Sequence, residues 1–205
     1  MLPDNEMINK PRILLHCCCA PCASYVLECL MPQYNITILF YNPNIEPLLE
    51  YEKRKNELTG LLVKASIESD VDWLECGYDN AVFSNAVLSL RSEPEGGKRC
   101  RTCFELRLRE TAERAAAGKY DIFATTLTVS PHKDADAINE IGELLSSEYS
   151  VKYLKSDFKA NDGFKRSVEL SKSYELYRQR FCGCKLYFAV GCAVGDGSPD
   201  NIVLN

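Results

Sequence analysis

The chain lacks any apolar run near the roughly 20 residues that a membrane-spanning helix needs. Its first ten residues, MLPDNEMINK, also lack the positively charged start and apolar centre of a secretory signal peptide. We therefore expect a cytoplasmic protein with no membrane partner. The chain also lacks internal repeats and low-complexity linkers, and 205 residues suffice for one domain with a full core. We expect this domain to cover 12–192, with flexible tails at 1–11 and 193–205.

An excess of positive charge is missing too. The net charge is −5 and the pI is about 5.2, which counts against a nucleic-acid-binding surface spread over the whole protein. Basic residues nevertheless concentrate in two stretches, with seven against three acidic residues in 98–119 and nine against four in 152–185. Such stretches are typical of solvated helix faces and also of RNA footprints, and both interpretations stay open.

Cysteine is too scarce for a small disulfide scaffold, since eleven in 205 residues is about 5% against the roughly 8–10% typical of that class. In a reducing compartment, clustered cysteines are more often metal ligands or redox groups. The clusters here are 17–22 (CCCAPC), 100–103 (CRTC) and 182–184 (CGC). The isolated cysteines at 29, 76 and 192 are predicted to be small buried hydrophobes, and Cys17 is left out of the ligand set.

Short apolar runs alternate with longer amphipathic or charged ones along the chain. Strands are predicted at 12–16, 35–41, 71–76, 120–126 and 151–154. Helices are predicted at 21–29, 46–64, 80–90, 103–117, 134–148 and 163–180. This alternation predicts an α/β fold with a mostly parallel, doubly wound sheet. The first cysteine cluster follows the first strand, at the sheet edge where such folds bind ligands.

The cysteine spacing indicates a metal or redox centre without fixing which one. Cys100 and Cys103 precede or begin a helix, whose positive end favours thiolates. With Cys182 and Cys184 they supply four sulfur ligands, a set that zinc and iron–sulfur clusters both accept. The additional cysteines of 18–22 exceed what a structural zinc requires, so they favour iron or redox chemistry. Metal-free thiol–disulfide chemistry stays open.

Seven motifs, taken together and in order, resemble the QueH-type epoxyqueuosine reductases. They are 16–22 (HCCCAPC), 40–47 (FYNPNIEP), 50–54 (EYEKR), 100–106 (CRTCFEL), 125–131 (TTLTVSP), 157–164 (DFKANDGF) and 177–184 (YRQRFCGC). The resemblance extends from about residue 12 to residue 187. Cys17 stands where that family usually has serine, threonine or a similar residue, so it needs no role.

The resemblance implies a sheet of the nucleotide-alpha-hydrolase and PP-loop type, with five strands and the first at the centre. It also implies a 4Fe–4S cluster, a second mononuclear iron and no cobalamin. The activity implied is reduction of epoxyqueuosine to queuosine at the wobble position of tRNA, with an external electron donor. Motif geometry favours Cys100, Cys103, Cys182 and Cys184 as cluster ligands, and Cys18, Cys19 and Cys22 as ligands of the second iron.

Epoxide reduction requires electrons, protons and a site that receives an unstacked base. Candidate catalytic groups are Tyr41, Lys133 and Asp157. Candidate substrate-binding residues lie near the motifs: Asn42, Asn44, Tyr51, Arg54, Arg99, Arg101, Arg178 and Arg180.

Three rival functions stay open. A PP-loop tRNA-thiolating enzyme would need a glycine- and serine-rich phosphate loop after the first strand, where this chain has CCCAPC. The others are a zinc-stapled nucleic-acid-binding module and a metal-free thiol–disulfide oxidoreductase.

Overall fold

The computed structural model describes residues 10–184, so Cys192 and most of the two predicted tails lie outside the described residues. At its centre is a five-stranded sheet made of β1 Arg12–His16, β2 Asn35–Leu39, β3 Val71–Leu74, β4 Ile122–Thr125 and β5 Lys152–Tyr153. Every strand pairing is parallel and the order is β3-β2-β1-β4-β5. The predicted α/β class is confirmed, and β1 is central as the resemblance implies.

Six α-helices connect and cover the strands in residues 10–184. They are α1 Ala20–Leu30, α2 Leu48–Lys64, α3 Asn80–Ala86, α4 Lys98–Ala117, α5 Ala135–Tyr149 and α6 Gly163–Ser173. Short 3-10 turns follow α3 at Leu88–Leu90 and β4 at Leu127–Val129. No helix in this part of the chain is both long and apolar enough to cross a membrane.

The central strand is apolar on both faces, because side chains alternate along a strand and helices cover both sides of this sheet. Ile13 and Leu15 belong to the core under α1 and α2. Leu14 belongs to the opposite core, beneath α4 and α5. All three are fully buried. A continuous apolar run of this kind is what identified β1 in the sequence.

Two predicted helix boundaries next to the cysteine clusters were wrong. Helix α4 begins at Lys98 rather than at 103, because Gly97 is its N-cap and the polar run after it is helical. Helix α6 ends at Ser173 rather than at 180: Glu175 has a left-handed φ of 49°. The CGC segment therefore follows a non-helical stretch instead of ending a helix.

Several basic residues of the two stretches form ion pairs on the protein surface. In α4, Arg109 pairs with Glu105 and Arg114 with Glu110, each pair four residues apart. In α6, Arg166 pairs with Glu28 of α1. Pairs of this type are typical of solvated helix faces. The basic residues near the cysteines, described below, are therefore more informative about function than these paired ones.

Candidate metal centre

The cysteines of 18–22 lie where β1 passes into α1. The amide of Cys17 continues the β1–β2 ladder with a 2.9 Å bond to the carbonyl of Leu39. The Cys18 amide then turns to the hydroxyl of Thr126 at 3.3 Å, beside the end of β4. Cys19 is the N-cap of α1 and Cys22 lies in its first turn. Thus three sulfur-bearing side chains converge at the carboxyl edge of the sheet.

The sulfurs of Cys18, Cys19 and Cys22 lie within 4.8 Å of one another and can hold one metal ion. Hydrogen bonds from the other two thiols hold the pKa of Cys18 well below its usual range. The same contact with Cys18 raises the pKa of Cys19 to about 11 and that of Cys22 well above its usual range. Hydrogen bonds from two thiol protons thus favour the thiolate form of Cys18 over that of Cys19 or Cys22. A bound cation would take the place of those protons.

The CRTC pair lies on one face of α4, because residues three apart in a helix are neighbours. The amide of Gly96 donates to the sulfur of Cys100 at 3.2 Å. Burial raises the pKa of the Cys103 thiol, and the positive charge of Arg107 acts in the opposite direction. Arg107 is itself buried and donates to the carbonyl of Cys103 at 3.2 Å. Both cysteines therefore lie in the first two turns of α4, and the guanidinium of Arg107 lies one turn after Cys103.

The CGC segment, residues 182–184, brings two more cysteines to the same cavity. Burial raises the pKa of Cys182, whose sulfur accepts a 3.4 Å bond from the amide of Cys184. Cys184 is 5% exposed. Between them, Gly183 has a φ of +106°, a conformation that other residues rarely adopt. This turn lets two neighbouring thiols face the same space.

All seven clustered cysteines other than Cys17 line one cavity of about 540 Å³. They come from positions 18–22, 100–103 and 182–184, so three distant segments meet there. Cys17, which was left out of the predicted ligand set, is instead fully buried in the core under α1 and α2. A sulfur-rich donor set of this size fits an iron–sulfur or other thiolate-bound metal group.

A family model described as Epoxyqueuosine reductase QueH matches residues 13–189. The chain belongs to this family. A relative of that name from Streptococcus pyogenes serotype M1 is 44% identical over 85% of this chain and 69% of its own length. A Thermotoga maritima relative, also of that name, is 34% identical over 84% of this chain and 88% of its own length. Membership of the QueH family makes the protein an oxidoreductase by class, and the resemblance in the motifs is confirmed.

Several further residues expected at the QueH site line the same cavity as the cysteines. They are Lys133, Asn42, Asn44, Arg54, Arg99, Arg178 and Arg180. Lys133 lies close enough for its charge to lower the pKa of Cys18. Asn42 donates to the carbonyl of Cys17 at 2.9 Å and so supports the first cysteine turn. Arg178 and Arg180 are exposed, which places two positive charges at the cavity mouth.

The structure does not bring the other four expected residues into the cavity lining. Burial raises the pKa of Tyr41 to about 12, which makes its phenol a weaker proton donor. Asp157 is 43% exposed and pairs with Lys159 at 3.0 Å. Tyr51 is buried in the core with its hydroxyl 3.5 Å from the carbonyl of Cys76. Arg101 pairs with Glu140 at 2.8 Å on the outer face of α4.

Residues that were not anticipated also line the cavity. One of them is Arg107. Its position four residues after Cys103 in a helix indicates that the two side chains share a face, so the sequence could have placed it beside the cysteines. Gln179 has a buried side-chain oxygen with no hydrogen-bond partner among residues 10–184, and so does Asn44, which is 3% exposed. Phe104 and Phe164 supply flat apolar walls. Buried oxygens without a donor in the free protein are candidates for binding a donor of the substrate.

His16 lies at the end of β1, below the cysteine turn. Its Nδ1 lies 2.9 Å from the Thr125 hydroxyl and its Nε2 lies 3.1 Å from the Tyr41 carbonyl. Burial, helped by the charge of Arg107, lowers the pKa of His16 to about 4. The ring is therefore neutral at pH 7, and both nitrogens are engaged below the cysteine turn.

Proposed function

We propose that the protein reduces epoxyqueuosine to queuosine at the wobble position of tRNA in the cytoplasm, using an iron–sulfur cluster and an adjacent iron. The observation that carries the proposal is the convergence of seven cysteines from three distant segments on one cavity, in a chain of the QueH family. The cavity volume of about 540 Å³ falls in the range of roughly 300–1,000 Å³ typical of ligand pockets.

The donor set suits two groups rather than one. Cys18, Cys19 and Cys22 form a compact three-sulfur set that would hold the single iron. The remaining four thiols, on α4 and the CGC segment, would hold a 4Fe–4S cluster. When bound, these groups would supply one-electron transfer and a Lewis acid for the epoxide oxygen. No cobalamin is required.

The overall reaction breaks both carbon–oxygen bonds of the epoxide, forms an alkene and releases the oxygen as water. It consumes two electrons from an external donor and two protons. Lys133 is the cavity-lining residue best suited to give a proton to the departing oxygen, because its ammonium lies near Cys18. Tyr41 and Asp157 would act only indirectly, since neither lines the cavity in the described chain.

The chain's own residues also suit an extruded nucleotide. The exposed Arg178 and Arg180 at the mouth can bind backbone phosphates. Phe104 and Phe164 offer surfaces for stacking. Asn44 offers a buried oxygen that can accept a hydrogen bond from a hydroxyl or amine of the modified base. An enzyme that acts on a wobble base must bind the tRNA backbone and admit the unstacked base. Arginines at the cavity mouth and a hydrogen-bond acceptor within the cavity suit these two requirements.

The deciding experiment is anaerobic purification followed by iron and sulfide analysis, absorption spectra and an assay on tRNA that contains epoxyqueuosine. We expect brown protein with about four sulfides per chain, iron in excess of sulfide, and conversion to queuosine when dithionite supplies electrons. Colourless protein that binds zinc in place of iron, even after anaerobic reconstitution, and leaves the tRNA unchanged would overturn the proposal. That result would favour the zinc-stapled binding module instead.

A further inference from the structure

Residues 46–54 bind three consecutive carbonyl oxygens of the chain around the CGC segment. Arg54 donates from Nη2 to Phe181 and from Nη1 to Cys182, both at 3.2 Å. The amide of Glu46 donates to the carbonyl of Gly183 at 2.9 Å. Helix α2 and the loop before it therefore determine the backbone path of the two cysteines. Residues 181–183 belong to no α-helix or strand, so regular secondary structure does not fix their path.

Arg54 is held for this task by a buried ion pair. It is 3% exposed, and its Nε lies 2.7 Å from Glu50, one helical turn earlier. The hydroxyl of Tyr177 lies 3.3 Å from both carboxylate oxygens of Glu50. A buried guanidinium is stable only with its charge paired and its donors satisfied. Here the carboxylate satisfies Nε, which leaves the planar fork aimed at the two carbonyls.

Gly183 is fitted to the same arrangement. Its φ of +106° already disfavours other residues. A Cβ at this position would also lie 3.2 Å from Nη1 of Arg54 and 3.0 Å from Cγ1 of Ile45. The glycine thus permits the close approach of the guanidinium to the backbone between Cys182 and Cys184.

We propose that Arg54, oriented by Glu50, is a positioning residue that fixes Cys182 and Cys184 toward the metal centre. The inference rests on the proposed function in taking these two thiols as ligands of the centre. Arg54 also lines the cavity, but three of its five N–H groups bind Glu50 and the two carbonyls, so we assign it this positioning role in place of the substrate-binding role expected from sequence.

The test compares Arg54→Met and Arg54→Lys with the wild type. Arg114→Met is the matched control, since Arg114 also pairs with a glutamate four residues earlier, at 2.6 Å, and does not line the cavity. Metal-free, reduced proteins are treated with iodoacetamide, and each cysteine's alkylation rate is followed by peptide mass spectrometry. In Arg54→Met we expect Cys182 and Cys184 to react about tenfold faster, since local opening controls the labelling of buried thiols.

Arg54→Lys keeps a positive charge for Glu50 but cannot bind both carbonyls as a fork does. We expect it to speed alkylation of Cys182 and Cys184 while its urea unfolding midpoint stays near the wild-type value. This variant decides the matter should Arg54→Met fail to fold. Wild-type rates in whichever variant folds would overturn the proposal. Equal acceleration at Cys100 and Cys103 would do so too, because it indicates general destabilisation.

The second readout is iron and sulfide per chain after anaerobic reconstitution. The Arg54 variants should bind less than half the wild-type sulfide, while Arg114→Met should bind as much as the wild type. Full sulfide content in Arg54→Met would contradict the positioning role. A wild-type protein that takes up no iron would overturn the proposed function instead. The alkylation comparison uses metal-free protein and would still decide the role of Arg54.

Discussion

Cys17 and Cys18 are adjacent in the chain but face opposite sides of the sheet. The Cys17 side chain is fully buried in the core under α1 and α2, and that of Cys18 lines the cavity together with six other cysteines. The one-residue alternation of an extended chain produces this separation. The thiols of two adjacent residues therefore have different surroundings, and only that of Cys18 is available to a ligand in the cavity.

Alanine substitution should separate the two. Cys18→Ala should reduce the iron content and lower kcat/KM by more than the roughly 10–100-fold that loss of an outer-shell metal partner costs. Cys17→Ala, the matched control, should keep iron and activity and lose only about 1 kcal/mol of unfolding free energy, since it removes one buried sulfur. Iron analysis and the tRNA assay check both. Equal losses in the two variants would contradict this assignment.

His16 should make stability depend on pH. Its pKa is 6.5 when unperturbed and about 4 in the fold, so below pH 6.5 the unfolded chain binds a proton that the folded chain does not. Stability is therefore present above pH 6.5 and is lost as the pH falls toward 4. At 1.36 kcal/mol per pKa unit the full loss is about 3 kcal/mol.

The measurement is urea unfolding of the metal-free protein at pH 7 and pH 5, for the wild type and for His16→Gln. Glutamine can still form hydrogen bonds but does not titrate in this range. We expect the wild type to lose more stability between these two pH values than the variant. The same loss in both would mean that other groups, such as the Cys18 thiolate, account for it.

Lys133 should affect both the reactivity of the Cys18 thiol and the turnover rate. Lys133→Gln removes a cavity cation whose charge lowers the pKa of Cys18, so the pH midpoint for alkylation of Cys18 should rise in metal-free protein. If the ammonium also donates a proton in the reaction, kcat should fall about 100-fold, the lower end of the general-acid range. Lys155→Gln, which removes a 63% exposed lysine, is the control. An unchanged kcat would exclude Lys133 as the proton donor.

Asn44 should affect substrate binding more than turnover. In Asn44→Leu the cavity loses a buried oxygen that has no donor within the described part of the chain, so KM should rise about tenfold with kcat little changed. Asn80→Leu is a useful comparison. It breaks a 2.7 Å bond to the carbonyl of Pro43 in the same loop, but Asn80 does not line the cavity. A larger rise of KM in Asn80→Leu would show that loop structure, not recognition, is responsible.

Much of the fold was predictable because its signals are local. The apolar run of β1 and the amphipathic helix at 134–148 are read directly from sequence, and the structure has β1 at Arg12–His16 and α5 at Ala135–Tyr149. The end of α6 was not, because the residues after Ser173 follow tertiary contacts rather than helical propensity. One such contact is the 3.0 Å bond from the amide of Tyr177 to Glu57 of α2.

The site was predictable to a similar extent. The seven cysteines formed visible clusters, and the structure brings them to one cavity. Arg54 and Arg107 are basic residues in charged helices, so sequence alone gave no sign that both would be buried. Burial of a charge depends on partners from distant segments, such as the carbonyls of Cys182 and Phe181, and these are known only once the chain is folded.

The origin of the sulfur ligands in segments as far apart as 18–22 and 182–184 has a consequence for biogenesis. During synthesis the first three thiols leave the ribosome long before the last two, so the proposed centre can be completed only after residue 184 has been made and its segment has folded. A cluster held by α4 and the CGC segment would link distant parts of the chain and disfavour opening of the fold. Full metal loading would then report that the chain has been made and folded at least as far as residue 184, and a chain that stopped earlier would carry an open, oxidation-sensitive set of thiols.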